Sequence, residues 1–255
     1  MNTHDSKIAL ITGGSRGLGR SMALHLARQG TGVVLTYRSN RAEADAVVAE
    51  ITRLGGRAAS LQLDTSVVAG FDDFAARLRG ALTKTWGRDR FDFLVNNAGV
   101  GAHASFAETT EAQFDELMNV HFKGVFFLTQ KLLPLIADGG RIINVSSGLA
   151  RFSLPGYAAY ASMKGAIEVL TKYLAKELGE RKIAVNVLAP GAIETDFGGG
   201  QVRDNAEINR YVAANTALGR TGLPDDIGGA VAALLSADSG WITGQRIEAS
   251  GGMFL

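Results

Sequence analysis

Short apolar runs alternate along the chain with longer stretches in which apolar residues return every three or four positions, the pattern of strands and helices taken in turn. Residues 7–12 (KIALIT), 33–37 (VVLTY), 58–63, 91–95, 141–146 (RIINVS), 183–188 and 246–249 read as strands, the first and fifth as buried ones. Helices are predicted from the glycines at 13–19 to residue 29, and over 41–54, 67–86, 111–136 and 224–236, with another through the run YAAYASMKGAIEVL at 157–170. Pro134 falls near the end of the 111–136 helix, where a missing N–H disturbs least. Residues 192–220 read as loop and short helix, and no repeat, low-complexity tract or linker divides the chain. The alternation predicts an α/β fold in a single domain over residues 1–255.

Composition narrows the classes of function. The 255 residues are 46% hydrophobic with a mean hydropathy of +0.09, ample for a core of this size. A formal net charge of +1 gives no electrostatic footprint for nucleic acid or for an acidic membrane. The chain has no cysteine, which excludes disulfides and thiolate chemistry and suits a reducing compartment. Residues 1–7 are short and polar and run straight into an apolar strand, so neither a signal peptide nor a spanning helix of ~20 residues is expected, and the location expected is the cytoplasm. Glycine, at 32 of 255, is about twice its usual share, and many of these glycines stand at strand ends, where a backbone must approach a ligand.

The first such cluster, Thr12-Gly13-Gly14-Ser15-Arg16-Gly17-Leu18-Gly19, opens the first helix. Glycines there permit a tight turn and let backbone N–H groups and the helix amino terminus meet a pyrophosphate. Their spacing is Gly-x-x-x-Gly-x-Gly, so the commoner Gly-x-Gly-x-x-Gly fingerprint is met only loosely. An NAD enzyme usually ends its second strand with an acidic residue for the ribose 2′-hydroxyl, and here the sequence is Tyr37-Arg38-Ser39-Asn40-Arg41. Arg38 and Arg16, directed at one sugar, suit a 2′-phosphate, and the cofactor expected is NADP(H).

Ser147, Tyr160 and Lys164 carry the candidate chemistry. Tyr160 and Lys164 stand four apart and share a helix face, where an ammonium favours the phenolate and tunes a general acid/base. Ser147 follows the fifth strand, at the carboxyl end of a sheet where open α/β folds bind ligands, and could polarise a carbonyl. Taken alone, a tyrosine and lysine at this spacing also describe an ordinary surface pair.

With these residues in view, the chain resembles the short-chain dehydrogenase/reductase family over nearly all of its length. The resemblance rests on the glycine loop, Asn96-Asn97-Ala98-Gly99, Asn119, Ser147, Tyr160, Lys164 and the stretch from Pro190-Gly191 to Thr195, in the family's order and approximate spacing. It implies a Rossmann-like doubly wound sheet of seven parallel strands with helices on both faces. It also implies a catalytic set in which Tyr160 donates the proton, Lys164 holds the nicotinamide ribose and lowers the Tyr160 pKa, Ser147 orients the carbonyl, and Asn119 holds a water linking Lys164 to solvent. The cofactor-binding residues implied are Thr12, Gly13, Ser15, Arg16, Gly17, Leu18, Gly19, Tyr37, Arg38, Asp64, Asn96, Ala98, Gly99, Tyr160, Lys164, Pro190, Gly191, Ile193 and Thr195. Among them Asp64 would meet adenine, Asn96 the adenosine side and Thr195 the carboxamide.

Two classes of function follow: an NADPH-dependent reductase of ketones or aldehydes, reversible to alcohol oxidation, and a dinucleotide-sensing regulator without turnover. The second commonly loses the tyrosine or lysine that this chain keeps. Substrate contacts are expected from Ser147, Phe152, Leu154, Tyr157, Phe197 and His103, with Phe106 also at the rim and Arg151 as a further polar handle. His121 reads as a packing or interface histidine, and four scattered histidines imply no metal site. By overall look the chain also resembles bacterial 3-oxoacyl-carrier-protein reductases, which dock an acidic carrier on basic residues. At the two positions aligned with that patch stand Arg181 and Asp138, so a free small-molecule carbonyl or alcohol is ranked above a carrier-bound chain. Assembly is expected to be a homotetramer. The segments 157–167 and 122–133 are too apolar to face water, and Gly252-Met253-Phe254-Leu255 adds a second apolar patch.

Overall fold

The first strand already shows how the core is divided. Along Ile8–Ile11 every side chain is buried, Ile8 and Leu10 in one apolar cluster and Ala9 and Ile11 in another, as the two-residue period of a strand requires when both faces are covered. The structure, a computed structural model, describes residues 7–255. Its strands β1 (Ile8–Ile11), β2 (Gly32–Tyr37), β3 (Ala58–Gln62), β4 (Phe91–Asn96), β5 (Ile136–Val145), β6 (Ala184–Pro190) and β7 (Arg246–Ala249) form one sheet in the order β3-β2-β1-β4-β5-β6-β7. All six pairings among these strands are parallel.

Helices α1 (Gly17–Arg28) and α2 (Arg41–Arg53) cover one face, where Met22, Leu26, Val47 and Ile51 pack against β1 and β2. Helix α3 (Phe71–Trp86) covers the other with Phe71, Phe74, Leu78 and Leu82. The chain then gives α4 (Glu111–Met118), α5 (Gly124–Leu132), α6 (Ala158–Glu177), α7 (Gln201–Asp204), α8 (Ala206–Ala214) and α9 (Pro224–Leu234). Leu128 and Leu132 of α5 and Ala175 of α6 join the α3 side, and Ile227 and Val231 of α9 join the α1 side. Local chemistry marks the ends of several helices. Asn40 accepts from the Glu43 N–H at the start of α2, Thr110 and Gln113 form a reciprocal capping box on α4, and Asn205 caps α8.

The helix expected over 111–136 runs without a break to Leu135, as α4, a wider turn, α5 and a closing tight turn, and β5 takes over at Ile136. Between α4 and α5, residues Asn119–Lys123 make one wider turn, in which the Gly124 N–H donates to the carbonyl of Asn119, five residues back. Only glycine fits at 124, because a Cβ there would lie 2.0 Å from the Thr65 carbonyl oxygen. Pro134 then ends helical pairing in a single tight turn, Leu133–Leu135, and β5 starts at once, five residues before the strand expected from 141.

Sequence order reverses between β1, which leads outward to β2 and β3, and β4, which returns to β1's other side. Beyond the carboxyl ends of these strands lies the crevice in which open α/β sheets hold ligands.

Candidate active site

The loop after β1 is shaped by two constraints. Gly13 has φ of +65°, and a Cβ on Gly19 would lie 2.2 Å from the Gly13 carbonyl oxygen, so the helix can begin this close to the strand only without side chains. Thr12 and Asn97 tie the loop to β4. The Thr12 hydroxyl accepts from the N–H groups of Asn97 and Ala98, both at 3.0 Å, and the Asn97 amide donates to the carbonyls of Thr12 and Gly13 at 2.9 and 3.2 Å. Helix α1 starts with no side-chain cap and no acidic residue in its first turn, which leaves its amino-terminal N–H groups for an anion.

A cleft of about 770 Å³ runs from this loop across the strand ends. One end is walled by Gly13, Ser15, Arg16, Gly17, Leu18 and Gly19, by Tyr37 and Arg38, and by Asp64. Arg38 and Arg16 are exposed. Arg16 lies 3.9 Å from Asp196, and the Arg38 guanidinium has no partner among the described residues. The donor set therefore fits a dinucleotide with a 2′-phosphate: unclaimed helix N–H groups, a glycine turn and two guanidiniums, with no carboxylate at the end of β2. Ala98, Gly99, Pro190, Gly191, Ile193 and Thr195 continue the wall toward the middle of the cleft, where Ser147, Tyr160 and Lys164 also line it.

Ser147 stands beyond β5 at the start of a short turn, its Oγ accepting from the Leu149 N–H at 3.2 Å. Tyr160 and Lys164 lie on the first turns of α6, both buried. The Lys164 ammonium donates to the Val145 carbonyl at 2.7 Å and sits 5.5 Å from the centroid of the Tyr160 ring. Burial pushes the Lys164 ammonium down to about 7 and pushes the Tyr160 phenol up, while a hydrogen bond with Ser147 pulls the phenol back down. The expectation that Lys164 lowers the Tyr160 pKa is corrected on this point. The lysine is held over the ring and bonded to the backbone, and the downward pull on the phenol comes from Ser147.

Three residues expected to line the site stand elsewhere, each for a physical reason. Asn96 does not reach the cleft: its buried amide donates to Asn144 at 2.8 Å and to Thr129 at 3.1 Å, joining β4 to β5 and α5. Thr12 is also buried behind the loop it braces. Asn119 lies in the wide turn, which packs against α6, the helix that carries Lys164. His103 is exposed, edge-on to Tyr157 at 5.0 Å and packed against Gly156, outside the wall. Phe106 is 87% exposed and likewise outside it, and Arg151 is engaged elsewhere.

Phe152, Leu154, Tyr157 and Phe197 do line the far end, joined by Leu149, Val202, Ile208, Tyr211, Val212 and Met253. The last five were not legible, because residues 192–220 carry no periodicity longer than a short helix and the carboxyl terminus read as an assembly patch. His121 also lies in the wall, edge-on to Tyr160 at 5.1 Å. With its proton on Nε2 it donates to the Val100 carbonyl at 2.7 Å, and its buried Nδ1 has no partner among the described residues. It is thus a packing histidine, placed against the phenol.

Burial and the nearby Lys164 charge push the His121 imidazole down to about 3 from 6.5. Because the folded value is the lower, acid favours the unfolded chain. The contribution is complete above about pH 6.5 and is lost as pH falls toward 3. The unfolding free energy of wild type minus that of His121→Phe is expected to drop by about 2 kcal/mol from pH 7 to pH 5, read from urea midpoints. A difference independent of pH would show that His121 titrates normally in the folded chain.

Residues 13–254 match the model of a family described as enoyl-(acyl carrier protein) reductase. An uncharacterised oxidoreductase of Methylorubrum extorquens is 40% identical, over 99% of this chain and 100% of its own. A tetrahydroxynaphthalene reductase of Pestalotiopsis fici is 37% identical over 96% of this chain and 91% of its own. Among solved structures, the promiscuous reductase LugOII, described as catalysing keto-reduction at C1 during lugdunomycin biosynthesis, superposes with a TM-score of 0.93 at 40% identity, covering 100% of both chains. The angucycline C-6 ketoreductase LanV, solved with bound NADP, gives 0.92 at 38% identity over 97% of this chain and 95% of its own. With its glycine loop at the sheet's switch point, its Ser147, Tyr160 and Lys164 in one cleft, and relatives of this similarity over their whole length, the chain belongs to the short-chain dehydrogenase/reductase family of oxidoreductases.

Proposed function

We propose that the protein is an NADPH-dependent carbonyl reductase acting on a free, apolar ketone, and on the corresponding alcohol in reverse. The observation that carries this reading is the meeting of Ser147, Tyr160 and Lys164 at the middle of one cleft, between an anion-binding end and an apolar end. When bound, the dinucleotide supplies a hydride to the carbonyl carbon. Everything else falls to the chain. The Ser147 hydroxyl orients the carbonyl oxygen, the Tyr160 phenol gives that oxygen its proton, and Lys164, charged below about pH 7, holds ribose hydroxyls. Gly13–Gly19 and α1 receive the pyrophosphate, and Arg16 and Arg38 the 2′-phosphate.

A free ketone is favoured by the far wall, where Phe152, Tyr157, Phe197 and Tyr211 suit a flat, fused-ring substrate. LanV and the tetrahydroxynaphthalene reductase, by their names, act on such multi-ring compounds. Against a carrier-bound chain stands the Arg181–Asp138 ion pair at 2.8 Å, which neutralises the guanidinium that a carrier would need. A panel of fused-ring and simple ketones, aldehydes, sugars and 3-oxoacyl thioesters, each with NADPH, tests the reading. Turnover confined to thioesters would overturn it in favour of a carrier-linked reductase, and dinucleotide binding with no turnover on any of them would favour a regulator.

The assembly proposed is a homotetramer in the cytoplasm. Phe114, Phe126 and Phe127 of α4 and α5 and Val169 and Tyr173 of α6 are exposed on neighbouring helices, and Trp241 and Leu255 are almost fully so. Among the described residues, no helix is long and apolar enough to cross a membrane. Light scattering at micromolar concentration is expected to give four times the chain's 26.8 kDa. A monomer mass would refute the assembly, and a stable dimer would refute the second interface. Cell fractionation tests the location.

A further inference from the structure

Arg151 stands four residues beyond Ser147, outside the cleft wall, yet its guanidinium makes four hydrogen bonds. Its Nε and Nη2 take both oxygens of Glu248, at 2.8 and 2.7 Å, in a bidentate pair. Its Nη2 and Nη1 also donate to the carbonyls of Met253 and Phe254, at 2.6 and 3.1 Å. Arg151 thus spans the end of β7 and the carboxy-terminal segment. Glu248 is held there by two further donors, Arg246 and Ser250, each at 2.7 Å. Together these donors keep its carboxyl down at about 2, and it stays ionised at any working pH.

The segment so held is part of the site. Met253 lines the apolar end of the cleft, and Phe254 packs against the Phe152 ring at 4.7 Å. Phe254 adopts φ of +52°, a conformation that a non-glycine residue keeps only where its surroundings impose it. On its far side the segment is tied to the turn after α8: the Phe254 N–H donates to the Asn215 carbonyl at 2.9 Å, and Met253 bridges to Thr216. Arg151 closes the near side. The same charge cluster reaches the chemistry, since Arg246 donates to the Ser147 carbonyl at 3.2 Å and to Glu168 at 2.7 Å, and Glu168 accepts from Ser146 at 2.7 Å.

We propose that Arg151 is a specificity-determining positioning residue: by holding Glu248 and the carbonyls of Met253 and Phe254 at once, it fixes the carboxy-terminal segment as a wall of the substrate end and so sets the fit of a bulky ketone. The substrate part of this inference rests on the carbonyl-reductase reading. The clamp itself does not. Lysine cannot replace the arginine, because one ammonium cannot span a carboxylate and two carbonyls in the geometry of a planar fork.

The test uses the full chain with Arg151→Met, which leaves Glu248 its bonds to Arg246 and Ser250. Backbone amide exchange at Phe254 is expected to quicken by about tenfold or more, with exchange in β1 and β4 unchanged. KM for 2-tetralone is expected to rise by about fivefold or more, while KM for 2-butanone and the affinity for NADPH stay within about twofold. Arg151→Lys should resemble Arg151→Met, and Glu248→Gln should shift the same two readouts in the same direction. Removing residues 253–255 should give the 2-tetralone KM of Arg151→Met and make that substitution silent. Unchanged exchange at Phe254 would overturn the clamp, and an equal rise in both ketone KM values would overturn the role in specificity. If the wild type reduces no ketone of the panel, it is the carbonyl-reductase reading that fails, and the clamp is judged by exchange.

Discussion

Tyr160→Phe is expected to lower kcat for ketone reduction by about 10²- to 10⁴-fold while leaving NADPH affinity within about threefold. The substitution removes one oxygen from a ring whose other contacts persist, edge-on to His121 at 5.1 Å and tilted against Phe197 at 5.9 Å, so the cleft keeps its shape. What is lost is the proton donor itself. Because burial holds the phenol up, it is protonated at every pH at which the enzyme would be assayed, and the Ser147 hydrogen bond eases its deprotonation in the transition state. Steady-state kinetics with a reducible ketone, beside a fluorescence titration of NADPH, separates the two effects. Activity within about threefold of wild type would remove Tyr160 from the role.

The second large effect is expected at the other end of the cleft. The wild type should prefer NADPH to NADH, and Arg38→Asp should lower kcat/KM with NADPH by about 10- to 100-fold while holding or raising that with NADH. Arg38 is exposed, its guanidinium without a partner among the described residues, and lines the cleft where β2 ends. A carboxylate there repels a 2′-phosphate and accepts from a ribose hydroxyl. Arg16 contributes less by this geometry, since Asp196 already lies 3.9 Å from it. Equal efficiency of the wild type with both cofactors would sink the argument from both arginines.

The sheet was legible because its strands are buried on both faces and so are written in continuous apolar runs, and because glycines mark the strand ends where backbone approaches backbone. Tyr160 and Lys164 were legible because a spacing of four means one helix face. Ser147 was legible because it follows a buried strand. What escaped is what depends on contacts between distant segments. Asn96 and Asn97 are neighbours of one residue type, yet one amide is sealed between β4, β5 and α5 and the other braces the glycine loop. Nothing in their order distinguishes them. The apolar end of the cleft is built from residues 149–157, 197–212 and 253, three segments that come together only in the folded chain. The bond from Lys164 to the Val145 carbonyl was not legible, because that carbonyl belongs to a strand distant in sequence.

The wide turn at Asn119–Lys123 acts as a phase shifter between α4 and α5. A helical wheel drawn through both is out of step by one residue, about 100° of rotation, past the turn. The apolar stripe on α4 and the stripe on α5 are therefore two separate alignments, one turned toward Tyr160 through Leu117 and the other toward the sheet through Leu128 and Leu132. This part of the chain should tolerate the loss of one residue better than the gain of one. Deleting one residue between 119 and 123 would let an ordinary α-helix form with Leu117, Leu128 and Leu132 still on their own faces, whereas inserting one would swing Leu128 and Leu132 out of the core by about 100°.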